Sequence, residues 1–173
     1  MKRTQTAFTL IELLVALTVL GILVGFAVPT FREFTRNNRI TAVHNDLTTA
    51  FTVARSEALK RSVPVSICAS TDGESCATNM DWVSGWLVFT DAAGVAGQVD
   101  APDQVLQSWT TGASADLVID TDQDFIQYAP SGTVLPDTTS TFGVFAEGCA
   151  GHHGRRLDVM PSGSLTATRQ DCP

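Results

Sequence analysis

The spacing of hydrophobic positions changes twice along this chain. From Leu10 to Val28 there is no period: nineteen residues carry one ionisable side chain, Glu12, and are otherwise apolar apart from glycines and Thr18. A helix rises about 1.5 Å per residue, so a run of this length crosses roughly 30 Å of bilayer hydrocarbon. Beyond Pro29, residues Ile40, Val43, Leu47, Phe51, Ala54 and Ala58 recur at steps of three and four. That is the apolar stripe of an amphipathic helix. Arg39, Asp46, Thr49, Ser56, Glu57 and Lys60 take the opposite face. Pro29 has no amide proton to donate and is expected to bend the helix. The pattern predicts one helix from Phe8 to about Arg61. Its transmembrane half covers about residues 10–28, and its amphipathic half packs on the C-terminal head.

From Val63 the period drops to two. Segments 63–68, 85–89, 104–109, 116–119, 141–145 and 156–160 alternate as strands do and are separated by Gly, Pro and Asp turns. The expected fold class is therefore α+β: a long N-terminal helix on an antiparallel, β-rich, sandwich-like head of residues 62–173. Asp91–Pro102, rich in Gly, Ala and Asp, reads as an exposed loop. Trp82, Trp86 and Trp109 fall among the strands, where tryptophan usually serves the core.

Charge adds a polarity that the apolar pattern does not show. The net charge is −7, yet no Lys or Arg lies between Ser62 and Gly154, a stretch that holds twelve acids from Asp72 to Glu147. Such a head repels phosphate backbones and argues against general nucleic-acid binding. The bases lie at Lys2 and Arg3, along the helix, and at Arg155, Arg156 and Arg169. Lys2 and Arg3 precede the apolar run and place the N-terminus in the cytoplasm, with the head on the far side. No small-residue cleavage site of the ordinary secretory type comes after the run, which continues as Val28-Pro29-Thr30-Phe31-Arg32. Four cysteines lie beyond it, an even count that favours disulfides in a translocated domain. Three pairings are open. The local one, Cys68 with Cys76 and Cys149 with Cys172, is preferred because the first two flank the turn-rich STDGES.

These residues carry a resemblance. AFTLIELLVALTVLGILVGFAVP (7–29) resembles the class III signal of type IV pilins and type II secretion pseudopilins. The resemblance implies a leader of residues 1–7, removed by prepilin peptidase between Ala7 and Phe8, and N-methylation of Phe8. Glu12 becomes the fifth mature residue, where the family carries its glutamate, and Pro29 falls where pilins often kink. The family usually has Gly before the cut; Ala7 is small enough for a tight protease site. A carboxylate inside an apolar membrane helix needs a partner, and the α-amine freed on a neighbouring subunit would supply one. In the head, VPVSICASTDGESCATNMDWVSGWLVFTDAAG and ARSEALKR resemble the pseudopilin H/FimT type. That implies a minor subunit that assembles into, or primes, a type IV pilus or a type II secretion pseudopilus. The implied partners are prepilin peptidase, other minor and major pilins or pseudopilins, and the inner membrane.

The same sequence holds residues suited to other chemistries. Some FimT-type members bind DNA through a basic Gly-Arg-x-Arg element near the C-terminus. Here Gly154-Arg155-Arg156-Leu157 has adjacent arginines, which on a strand point to opposite faces. Pro161–Thr166 fits the turn but has no arginine, Arg169 adds one base, and Asp158 and Asp171 offset part of the charge. DNA thus remains an alternative partner. Asp116, Asp120, Asp122 and Asp124 invite a calcium loop, but Phe125 and Ser131 stand where its Gly and twelfth-place acid belong. His152 and His153 with Cys149 and Cys172 suggest zinc only if the thiols are reduced. No enzyme motif appears, and neither a metal nor a cofactor is expected. A third alternative is an uncleaved single-pass protein with a periplasmic binding head.

Overall fold

The computed structural model describes residues 10–112, 116–135, 137–149 and 151–173. Helix α1 runs from Leu10 to Arg61, 52 residues. The chain divides into two compact units, Met1–Asn38 and Arg39–Pro173. The division falls inside the helix because burial begins at Ile40, the first residue of the amphipathic stripe.

In the first unit the window Leu10–Ala27 is long and apolar enough to cross a membrane, and none of it is buried. Its one hydroxyl is satisfied within the helix: Thr18 donates to the Leu14 carbonyl at 2.7 Å. Donation to the fourth carbonyl back lets a threonine sit in an apolar helix without an unpaired donor.

In the second unit the predicted stripe is the helix's core face. Ile40, Val43, Leu47, Ala50, Phe51, Ala54 and Ala58 are all buried. Nine strands come after it among the described residues: β1 (Val65–Ala69), β2 (Gly85–Thr90), β3 (Val105–Thr110), β4 (Leu117–Asp120), β5 (Phe125–Tyr128), β6 (Val134–Leu135), β7 (Ser140–Ala146), β8 (Gly154–Val159) and β9 (Leu165–Gln170). They form two antiparallel sheets, β3-β2-β1-β5-β6 and β4-β7-β8-β9. Helix and both sheets contribute to one apolar cluster, in which the Phe142 ring lies 5.1 Å from Phe51 and 5.1 Å from Trp82. Trp82 and Trp86 are fully buried, while Trp109, on edge strand β3, is only partly so.

β1 is buried along its whole length, which requires cover on both sheet faces. On the face away from the main core, Cys68, Leu87 and Phe89 form a second cluster with Cys76, Val99 and Phe125. The cover is partly the 91–102 segment, a loop exposed at most positions as expected but buried at Asp91 and Gly97. Asp91 is only 5% exposed. Its Oδ2 accepts hydrogen bonds from Ser66 Oγ, from Gly97 N at 2.8 Å and from Gln127 Nε2 at 2.8 Å. A carboxylate with three donors tolerates burial. Gly97 then lies so close to the Phe125 ring that a Cβ would fall 2.3 Å from it. Three strands absent from the sequence expectation, β5, β6 and β9, complete the sheets.

Arg55 joins the helix to two turns. Its Nε donates to Gly132 O at 3.1 Å and an Nη to Ser162 O at 3.0 Å. The turns themselves touch: Val134 N donates to Pro161 O at 2.9 Å. Gly163 sits at φ +77°, where a Cβ would come within 1.9 Å of the Gly132 carbonyl oxygen. Only glycine fits there.

Candidate functional site

The predicted processing residues Ala7 and Phe8 lie outside the described residues. Glu12 occupies the first described turn of α1, among Leu10, Ile11, Leu13 and Leu14, all more than half exposed. A carboxylate is thus set into a surface that is otherwise hydrocarbon. Position 29, expected to bend the helix, lies within it and not at its end.

The four cysteines form two disulfides, Cys68–Cys76 and Cys149–Cys172, with Cα separations of 5.6 and 5.8 Å. The first closes the turn between β1 and β2. Asp72 braces that turn, accepting from Ser75 Oγ (2.6 Å), Ser75 N (2.9 Å), Glu74 N (2.9 Å) and Ser70 Oγ (3.1 Å). These donors, Ser75's first, hold the Asp72 carboxyl well below the usual range. The second disulfide ties the β7–β8 loop to the tail after β9, where Cys172 N donates to Gly151 O at 3.0 Å and His152 Nδ1 pairs with Asp171. Among the described residues no group of three or more His, Cys, Asp or Glu side chains is placed to hold a metal ion. The acids of the calcium-like run are divided between elements: Asp116 pairs with Arg39 at 3.7 Å, Asp120 ends β4, and Asp122 and Asp124 lie on the turn beyond it.

The C-terminal arginines split between the two faces of the second sheet. Arg156 points outward and its Nε meets Asp158 at 2.8 Å, so its charge is matched. Arg155 turns to the helix, where an Nη donates to Thr41 Oγ1 at 3.4 Å. Its register partner on β9 is Arg169, so these two share a face.

Beside Arg155 lies His44, a helix residue not among the predicted stripe positions. It is 6% exposed, and its Nε2 is buried with no hydrogen-bond partner among the described residues. Burial first, and the Arg155 charge in addition, lower its pKa below the ordinary 6.5; hydrogen bonds with Asn45 and the Arg156 backbone oppose the shift. The unfolded chain therefore binds this proton at a higher pH than the folded one. The His44 contribution to head stability is complete above about pH 6.5 and declines as the pH falls below it. Asp72 contributes the same sign only lower, as the pH falls through its ordinary 3.8. Thermal melts stepped from about pH 8 to about pH 5 should show a falling midpoint that His44→Leu flattens. An unchanged slope in the variant would assign the pH dependence to other groups.

A helix whose first half is an exposed membrane-length apolar segment and whose second half is the core of a disulfide-bonded antiparallel β head defines the type IV pilin-like class. Within that class the chain belongs to the family described as type II transport protein GspH, which matches residues 44–163. The prokaryotic N-terminal methylation motif matches residues 2–28. The fold resembles the type IV minor pilin FimU of Pseudomonas aeruginosa, with a TM-score of 0.58 at 23% identity, covering 81% of this chain and 92% of that one. It also resembles the minor pseudopilin EpsH from the type 2 secretion system of Vibrio cholerae, with a TM-score of 0.50 at 15% identity, covering 72% and 92%. At these identities the likeness is one of fold. Two curated fimbrial proteins of Pseudomonas aeruginosa are 30% identical over 70 residues, 40% of this chain. The chain spans 46% of the length of those relatives. Family and fold are those of structural pilins.

Proposed function

We propose that this chain is a minor pilin or pseudopilin that works as a structural subunit and not as an enzyme. Prepilin peptidase cuts between Ala7 and Phe8, and Phe8 is N-methylated. The helix holds the protein in the inner membrane with its head in the periplasm, then moves into a filament with other pilins or pseudopilins. Glu12 pairs there with the α-amine of a neighbouring Phe8, so that neither charge stays unpaired in hydrocarbon.

The observation that carries this reading is the helix itself. Its Leu10–Ala27 window is exposed, while the apolar stripe of its amphipathic half is buried in the core of the head. A surface of that length and apolarity requires lipid or other helices around it. Together with the methylation motif over residues 2–28, it supports an anchor that doubles as an assembly helix.

The test is the intact mass of the membrane-extracted protein. The expected species begins at methylated Phe8. A chain that keeps residues 1–7 would replace the filament subunit by an uncleaved, anchored binding protein.

A further inference from the structure

Arg155 and Arg169 stand directly opposite each other on β8 and β9. Opposed residues have Cβ atoms about 4.5–5.5 Å apart, and like charges so placed destabilise the pair. Both acceptors near Arg155 are neutral, the Gly154 carbonyl at 3.3 Å and Thr41 Oγ1 at 3.4 Å. Arg169 is exposed, and no carboxylate pairs with it among the described residues. The carboxylates of the surrounding elements are engaged elsewhere. Asp116 meets Arg39, Asp171 meets His152, and Asp158 holds Arg156 on the other face. Two guanidinium groups thus share one side of the sheet with no anion between them among the described residues.

The same head carries the complementary surface. The loops β1–β2 and β4–β5 bear Asp72, Glu74, Asp122 and Asp124, in a stretch with no Lys or Arg from Ser62 to Gly154. They are held together by Trp82 Nε1, which donates to Gln123 O at 2.9 Å. All four acids are exposed, and the donors on Asp72 keep its carboxylate ionised.

We propose that Arg155 and Arg169 dock the acidic β1–β2 and β4–β5 loops of a second copy of this chain, an interface that rests on the filament-subunit reading. Charge complementarity selects the occupant. Guanidinium groups bind carboxylates with two parallel hydrogen bonds, and an anion placed there also relieves the repulsion between the arginines. Because the two patches differ, the contact is heterologous. Such contacts form rings where the rotation closes and open rows where it does not, and the open row is the geometry a filament needs.

The test uses the full-length chain in detergent micelles, with sedimentation measured at low and high salt. The parent should self-associate at low salt and dissociate as salt screens the contact. Arg155→Glu with Arg169→Glu, and separately Glu74→Arg with Asp122→Arg, should each weaken association at least about tenfold. Mixing the two reversed proteins should restore it. Arg155→Gln with Arg169→Gln, which adds no new charge, guards against a folding defect, and near-UV circular dichroism checks each head. Association through the apolar helix is common to all samples and cancels in the comparison. Reversed proteins that associate like the parent, or a mixture that stays apart, would overturn the proposal. So would an arginine variant that loses duplex DNA binding while self-association is untouched. None of these outcomes alters the mass of the processed chain, so failure here and failure of the filament reading are distinguishable.

Discussion

Cells producing the Glu12→Ala chain should yield a protein that is cut and methylated normally yet enters sheared filaments roughly ten- to a hundredfold less than the parent. The size of the loss comes from what the carboxylate does. Hydrogen bonds to charged groups contribute about 1.5–3 kcal/mol, and about 1.4 kcal/mol is a factor of ten. In the proposed pairing, removing Glu12 also leaves the neighbour's α-amine as an uncompensated charge in an apolar surrounding, where Leu10, Ile11, Leu13 and Leu14 offer it no acceptor side chain. Glu12→Gln keeps the volume and one acceptor but no charge, so it should fall between the two. Immunoblots of filament and membrane fractions separate incorporation from processing. Equal recovery of Glu12→Ala and parent in the filament fraction would remove the ion pair from the account of assembly.

Trp82→Ala should bring the head close to its unfolding threshold. Trp82 is fully buried, stacks edge-on against Phe142 at 76° and donates to the Gln123 carbonyl. Truncating a buried tryptophan typically costs about 3–5 kcal/mol, against total domain stabilities of about 5–15 kcal/mol. The Gln123 carbonyl loses its donor as well, and the β4–β5 loop loses its tie to the β1–β2 loop. Trp82→Phe retains most of the packing and loses the hydrogen bond, so it should cost about 1–3 kcal/mol. Thermal melts tracked by near-UV circular dichroism, with Trp86 and Trp109 still reporting, give the comparison. A Trp82→Ala head that melts with the parent would mean that its ring is replaceable in the core.

Periodicity carries the helix and most of the head because both signals are local. The stripe from Ile40 to Ala58 is the buried face of α1. The segments read as strands at 63–68, 85–89 and 141–145 contain or overlap β1, β2 and β7. The missed strands lack that signal. β5 has four residues and comes after an aspartate run that reads as turn, and β6 has two. β9, Leu165-Thr-Ala-Thr-Arg-Gln, buries none of its residues fully and owes its conformation to its ladder with β8. Asp91 misleads for a related reason. An acid among glycines and alanines signals a solvated loop, and its three donors come from positions 66, 97 and 127.

For the candidate site the division is similar. Glu12 stands out in the sequence because one carboxylate in nineteen residues from Leu10 to Val28 is a compositional fact. The adjacent Arg155 and Arg156 can be predicted to diverge from strand geometry alone, and they do, one toward Thr41 and one toward Asp158. That Arg155 instead faces Arg169, and that His44 lies beside it with an unmatched nitrogen, depends on the register of β8 on β9 and on the packing of α1. The membrane-length segment, the amphipathic stripe, the β character of the head and the segregation of charge can all be read from the residues in order, since each is a property of near neighbours. Packing in three dimensions chose which charges meet, which acid is buried and which arginine clasps two turns. Those outcomes depend on contacts between residues as far apart as Arg55 and Ser162, whose partners no local spacing encodes.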